Sequence, residues 1–229
     1  MVNYAKDEYH RRRHSEFLDS EELRLAWSSF ANLVYFRHVR AGEQVMEYGG
    51  GLGNNLLMVA RRASVCMVEP SAIGREIART AGITAVASLS QLPRTSFDTV
   101  LCRHVLEHVD QPLSILQELR QWLTGEGKLI LVVPCEDMDS SPSHDDLDHH
   151  LFCWNPRTLS NLLVRAGYVI EDIRHEYFGA KRKLLPVFRA FGGRSYARSV
   201  QAVGRFLRFK ELVVEASPQK PICIRDVAS

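Results

Sequence analysis

The 229-residue chain has no long apolar run: stretches such as Leu129–Pro134 fall far short of the ~20 residues that cross a bilayer. The first residues, MVNYAKDEYHRRRH, lack the apolar middle of a signal peptide, so a cytoplasmic protein is expected. Cysteine is scarce and odd in number, at 66, 102, 135, 153 and 223, and no two form a CxxC pair. That excludes a disulfide framework and a zinc ribbon. There is no internal repeat and no low-complexity tract. A hydrophobic fraction of 45% with 24% charged residues excludes a disordered chain, a collagen-like chain and a coiled coil. What remains is a globular protein of one domain, long enough to bury a core without staples.

The net charge of +2 conceals a local excess. Residues 181–210 carry nine Lys or Arg and no acid, which leaves 20 basic against 27 acidic residues elsewhere. A basic segment on an acidic body is attracted to anionic surfaces or phosphate groups.

From residue 44 onward, strand and helix patterns alternate. QVMEY (44–48), SVCMVE (64–69), ITAVA (83–87), FDTVLC (97–102), KLILVVP (128–134), YVIEDIRHEYF (168–178) and ELVVEAS (211–217) read as strands. Helical spacing connects Leu56, Leu57, Val59, Ala60 and Ala63 after the first strand. It connects Val105, Val109, Leu113, Leu116, Leu119 and Leu123 after the fourth. Ser71 and Asn155-Pro156 are helix starts, and Gly82 and Gly167 are stops. The alternation predicts a parallel sheet with helices on both faces. Ahead of it, Ser20 to His38 reads as a helix with Asp19 and Glu22 as a capping box, a cover for the domain. The expected organisation is thus a cover, 1–39, and a domain, 40–229, with a basic insertion at about 180–210.

The segment Glu47-Tyr48-Gly49-Gly50-Gly51-Leu52-Gly53 follows the first strand directly. Glycines there let the backbone turn sharply and a ligand come close, at the strand ends where open α/β sheets bind ligands. Their G-x-G-x-G spacing does not fit the G-x-G-x-x-G of a nicotinamide dinucleotide site. Glu69 ends the second strand, where a carboxylate can accept both hydroxyls of a ribose.

Glu47-x-Gly49-x-Gly51-x-Gly53 resembles motif I of the class I S-adenosylmethionine-dependent methyltransferases. Val68-Glu69-Pro70-Ser71 is similar to their second-strand motif. Leu92-Pro93, Phe97-Asp98-Thr99-Val100 and Val105-Leu106-Glu107-His108-Val109 resemble a block of the small-molecule branch, the relatives of ubiquinone methyltransferases. Thr124-Gly125-Glu126-Gly127 and the stretch from Phe152 to Gly167 fall where that branch has its last two blocks, so the resemblance covers roughly residues 40 to 178. It implies a Rossmann-like, doubly wound α/β fold of seven strands, mostly parallel with an antiparallel last strand.

The resemblance also assigns roles. Gly49, Gly50, Gly51 and Gly53 allow backbone contact with the cofactor. Glu47 anchors the loop and receives the methionine ammonium, and Glu69, beside Pro70, grips the ribose. Ser88 and Leu89 flank the adenine; Cys102, Arg103 and His104 line the methionine end. Two places depart from the family: Ser88 stands near where an adenine-binding acid is usual, and Thr124-Gly125-Glu126-Gly127 replaces "PGG" and loses its proline.

Methyl transfer needs the acceptor aligned, water excluded, and a base only where the acceptor does not ionise by itself. Candidate catalytic residues are His104, just past the fourth strand, and His149 and His150. The last two stand in a long segment, 134–154, of the kind that forms a lid or binding loop. Its run His144-Asp145-Asp146-Leu147-Asp148-His149-His150 has metal-ligand residue types but no coordination spacing, so no metal is expected. The acceptor is expected to be a small or carrier-linked metabolite, methylated on oxygen ahead of nitrogen or carbon. A catalytically silent S-adenosylmethionine-binding partner is the alternative. The basic segment reads as one or two amphipathic helices with basic outer faces, a candidate for peripheral contact with an anionic membrane. Nucleic acid is not expected.

Overall fold

A computed structural model describes residues 11–12, 14–93, 95–136 and 149–220. In chain order its elements are helices α1 (Ser15–Leu18) and α2 (Glu21–Val34), strands β1 (Gln44–Tyr48) and β2 (Ser64–Val68), and helix α3 (Ala72–Thr80). Then follow β3 (Thr84–Val86), β4 (Phe97–Arg103), α4 (Pro112–Gln121), β5 (Leu123–Pro134), α5 (Pro156–Arg165), β6 (Tyr168–Tyr177), α6 (Leu185–Leu207) and β7 (Lys210–Pro218).

The strands form one seven-stranded sheet in the order β3-β2-β1-β4-β5-β7-β6. β1 to β5 are parallel, while β7 runs antiparallel to both β5 and β6. The fold is therefore the doubly wound, seven-stranded sheet with an antiparallel last strand. The chain winds outward through β2 and β3, then returns to the other side of β1 as β4. That reversal opens a crevice at the carboxyl ends of β1 and β4.

Alternate strand residues feed two apolar cores. Val45, Leu101, Ile130 and Val213 face α2 and α6. Met46, Val100, Leu131 and Val214 face α4 and α5. Helix α2 is integral to the first core: Leu23, Ala26, Phe30 and Ala31 are fully buried. Its N-cap is Ser20, whose hydroxyl accepts from Leu23 N, rather than Asp19, and it stops at Val34.

Three other expectations are corrected. Residues 56–63 form turns and a short 3-10 turn, Val59–Arg61, instead of an α-helix. Side chains of α2 compete for that backbone: Ser28 Oγ accepts from Met58 N at 2.8 Å and donates to Asn55 O. Residues 105–109 are also non-helical. The helix begins only at Pro112, a residue at home in a first turn and disruptive inside. Leu123 is consequently a strand residue, paired with Phe97. The basic segment is helical as expected, in two halves broken at Gly192 with φ 76° and ψ −177°.

Candidate functional site

Gly49, Gly51 and Gly53 all have positive φ, at 74°, 55° and 73°. A Cβ on Gly49 would lie 2.3 Å from Val105 Cγ2, so this turn admits only glycine there. Gly49 N and Gly50 N both donate to Val68 O, which ties the turn to the end of β2.

Glu47, at the end of β1, is 1% exposed. Its Oε1 accepts from Asn55 Nδ2 at 2.5 Å, while Oε2 is buried without a partner. Burial pushes this carboxyl up to about 8, against the opposing pull of the Asn55 hydrogen bond and the Arg103 charge. Glu69 is also buried, and its two oxygens accept from Gly51 N and Ser71 N, each at 2.8 Å. Pro70 is exposed beside it, and Arg75 holds the carbonyls of both residues at 2.7 Å. After β3, Leu89 is buried, and half-buried Ser88 shares a hydroxyl hydrogen bond with Ser90.

At the end of β4 three neighbours diverge. The Cys102 thiol lies in the core, pushed up by burial, so only backbone of Cys102 can meet the crevice. Arg103 turns to the opposite face, its guanidinium 5.2 Å from the Trp27 ring centroid and 5.7 Å from that of Tyr35. It donates to Glu211 Oε2 at 2.9 Å and to Tyr35 OH at 3.1 Å. His104 has a left-handed backbone, φ 52°, and its Nε2 stands 3.1 Å from the same Glu211 oxygen. Tyr35 OH donates to the other Glu211 oxygen. Burial would raise the Glu211 carboxyl, but Arg103 and His104 outweigh it and hold it at about 2.

The two other predicted histidines separate. His149 is exposed, with φ 42°. His150 turns inward, where its Nδ1 contacts Glu136 Oε1 just beyond β5 and its ring meets that of His108 edge-on at 4.7 Å. Glu107, His108 and His150 bring ligand atoms within 4.8 Å of one another, a group able to hold a metal ion. Of the metal-type run 144–150, His150 belongs to this group, and residues 144–148 lie outside the described residues.

Sequence reasoning missed Asn55, Trp27, Tyr35, Glu136 and Glu211. Asn55 links its neighbours: its amide nitrogen serves Glu47, while its Oδ1 accepts from Trp27 Nε1 at 2.9 Å. The readable signal for Glu211 was an acid heading the apolar run Leu212-Val213-Val214. Such an acid is buried only with partners.

Comparison with known proteins is consistent with this geometry. Residues 20–173 match a family model described as a methyltransferase domain. The mitochondrial ubiquinone biosynthesis O-methyltransferase of Schizosaccharomyces pombe is 29% identical over 163 residues, 60% of this chain and 59% of that protein. The chain thus spans less than two thirds of that relative's length. Among solved structures, a chain of the complex between the Haloferax volcanii Trm112 methyltransferase activator and its methyltransferase has a TM-score of 0.68 at 16% identity. It covers 97% of this chain and 100% of that one. A Bacillus halodurans C-125 methyltransferase has a TM-score of 0.56 at 18% identity, over 83% of this chain and 99% of that one. At these identities the likeness shows the fold.

The site fits the methyl donor of that class. A buried carboxylate with an unpartnered oxygen calls for a cation, and S-adenosylmethionine carries an ammonium and a sulfonium. The glycine turn beside it leaves backbone bare for close approach. Since the family model spans more than half of its residues, the chain belongs to the methyltransferase-domain family.

Proposed function

We propose that the enzyme methylates a hydroxyl oxygen of a small metabolite. The observation that carries this reading is the contact of His150 with Glu136 at the carboxyl end of β5, beside His108. A hydroxyl must lose its proton on methylation, and an imidazole oriented by a carboxylate is suited to take it. His104, held by Glu211 at the end of β4, is a second such pair on the same rim. The 29%-identical relative is by name an O-methyltransferase, which supports oxygen over nitrogen or carbon.

In this reading Glu47 Oε2 receives the cofactor's ammonium, and the bare glycine turn accepts its methionine and ribose parts. Glu69 holds the ribose side, and Ser88 with Leu89 borders the adenine. The cofactor supplies an already activated methyl group, so the protein's task is alignment and exclusion of water. Helix α2 contributes by closing over Asn55 and Arg103. The acceptor's hydroxyl is oriented toward His150, which takes its proton at Nε2 while Nδ1 stays on Glu136.

The test is methyl transfer from labelled S-adenosylmethionine to a panel of small hydroxylated, amine and carbon acceptors. A hydroxylated acceptor should be turned over, and His150→Ala should lower kcat while leaving S-adenosylhomocysteine affinity unchanged. Turnover confined to amines, or a His150 variant with full activity, refutes the reading. The Glu107–His108–His150 group supports a second reading, a cation that orients the acceptor's oxygen. Loss of turnover in chelator, restored by one divalent ion, would favour it.

A further inference from the structure

We infer that the enzyme docks on anionic phospholipid surfaces through the end of α6 and the turn that follows it. Residues 205–210, Arg-Phe-Leu-Arg-Phe-Lys, are all exposed. Phe206 is 86%, Phe209 58% and Leu207 46% exposed. A lone surface phenylalanine needs no explanation, but three large apolar side chains within four positions form a patch.

The patch is held rigidly. Phe209 N donates to Gly204 O at 3.0 Å, and Phe178 N donates to Phe209 O at 3.2 Å. Arg208 sits at the helix end with φ 61°, a left-handed conformation for which glycine is the ordinary choice. The chain keeps a cation there at the expense of backbone strain.

Charge decides what such a tip meets. Two cations of the basic segment are neutralised, Lys181 by Glu16 and Arg189 by Glu22. Its charges are therefore less bare than the sequence suggested, but both pairs lie in its first half. Arg194, Arg198, Arg205, Arg208 and Lys210 make no ion pair among the described residues. Arg194, Arg198 and Arg205 recur at i, i+4 and i+11, along one side of the helix. The first two flank a recess of about 320 Å³ against Leu33 of α2, open to a phosphate headgroup.

Phenylalanine and leucine ringed by unpaired cations suit the boundary between headgroups and acyl chains. A stable protein interface takes about 20–30 residues a side, far more than these six. No helix among the described residues is long and apolar enough to cross a membrane, so the contact is peripheral.

The tip also stands at the site's rim. Lys210 O accepts from Cys135 N, and Glu211 pairs with Pro134, so β7 starts where β5 ends, next to Glu136. Docking would bring the acceptor side of the crevice against the lipid surface. The docking itself does not depend on which acceptor is methylated.

The test is co-sedimentation of the full chain with vesicles of phosphatidylcholine alone, or with about a third phosphatidylglycerol. Binding is expected to the anionic vesicles only, and to fall at least about tenfold between ~50 mM and ~500 mM salt as screening shortens. Phe206→Ser with Phe209→Ser should abolish binding without altering the melting temperature. Arg205→Ser, Arg208→Ser and Lys210→Ser should each weaken it by about fivefold. Absence of binding to the anionic vesicles at low salt overturns the inference, as does binding unaffected by both sets of variants. So does a concentration-dependent dimer in light scattering that Phe206→Ser and Phe209→Ser abolish, when no vesicle binding accompanies it; the patch would then join two copies.

Discussion

Replacing Glu47 by Gln tests a buried acid one of whose oxygens lacks a hydrogen-bond partner. Burial raises this carboxyl from its ordinary 4.5 to about 8. In the empty enzyme it therefore holds its proton up to about pH 8, whereas the unfolded chain releases it near 4.5. Between those values the unfolded state binds fewer protons, so this group's contribution to stability is present at low pH and is lost as pH rises. The loss between pH 5 and 7 is about 2.5 kcal/mol by this linkage, or about 5–10 °C in Tm for a chain of this length. Glu47→Gln can keep the Asn55 hydrogen bond but carries no titratable proton. Thermal melts of both proteins across pH 5 to 8 should therefore diverge, with the variant gaining on the wild type as pH rises.

Saturating S-adenosylhomocysteine should remove most of that slope in the wild type, because its ammonium stabilises the ionised carboxylate. At neutral pH, binding should release about one proton from the wild type and none from the variant, as seen by calorimetry in buffers of different ionisation enthalpy. The variant should bind the ligand about 10- to 100-fold more weakly. Parallel melting curves for wild type and variant would refute the argument, since Glu47 would then be ionised, or reached by water, in the empty enzyme.

Glu69→Ala should weaken cofactor binding by about 1–3 kcal/mol, measured by calorimetry, and also lower Tm because Gly51 N and Ser71 N lose their acceptor. Gly49→Ala forces a Cβ to 2.3 Å from Val105, so melting should show destabilisation and cofactor binding should fall. Glu211→Gln leaves Arg103 buried without its counter-charge and should cost about 3–5 kcal/mol in denaturant unfolding, whereas Glu211→Asp should restore part of it. His149→Ala should leave turnover unchanged while Glu136→Ala lowers it, because only His150 is held inward.

The strand-helix alternation, the helix starts at Ser71 and Asn155, the stops at Gly82 and Gly167, and the glycine turn with Glu47 and Glu69 were all legible in the sequence. Each rests on local chemistry: a period of apolar residues, a side chain that caps its own helix, a backbone only glycine adopts. Pro112 carried such a signal too, since the helix could not be continuous through it, yet the apolar spacing from Val105 onward masked it. Other features required chain partners far apart in sequence. Residues 56–63 have helical spacing, but Ser28 and Trp27 of α2 claim the backbone and side chain of Asn55. Arg103, His104, Tyr35 and Glu211 become one hydrogen-bonded group only because β7 inserts between β5 and β6. Adjacent histidines 149 and 150 have the same chemistry, and only contact with Glu136 and His108 separates them. Likewise the basic segment's charge was visible in sequence, but which cations are neutralised depends on where Glu16 and Glu22 come to lie. Local pattern determines elements because it acts within a few residues; burial, pairing and proton affinity are settled by neighbours that only the folded chain supplies.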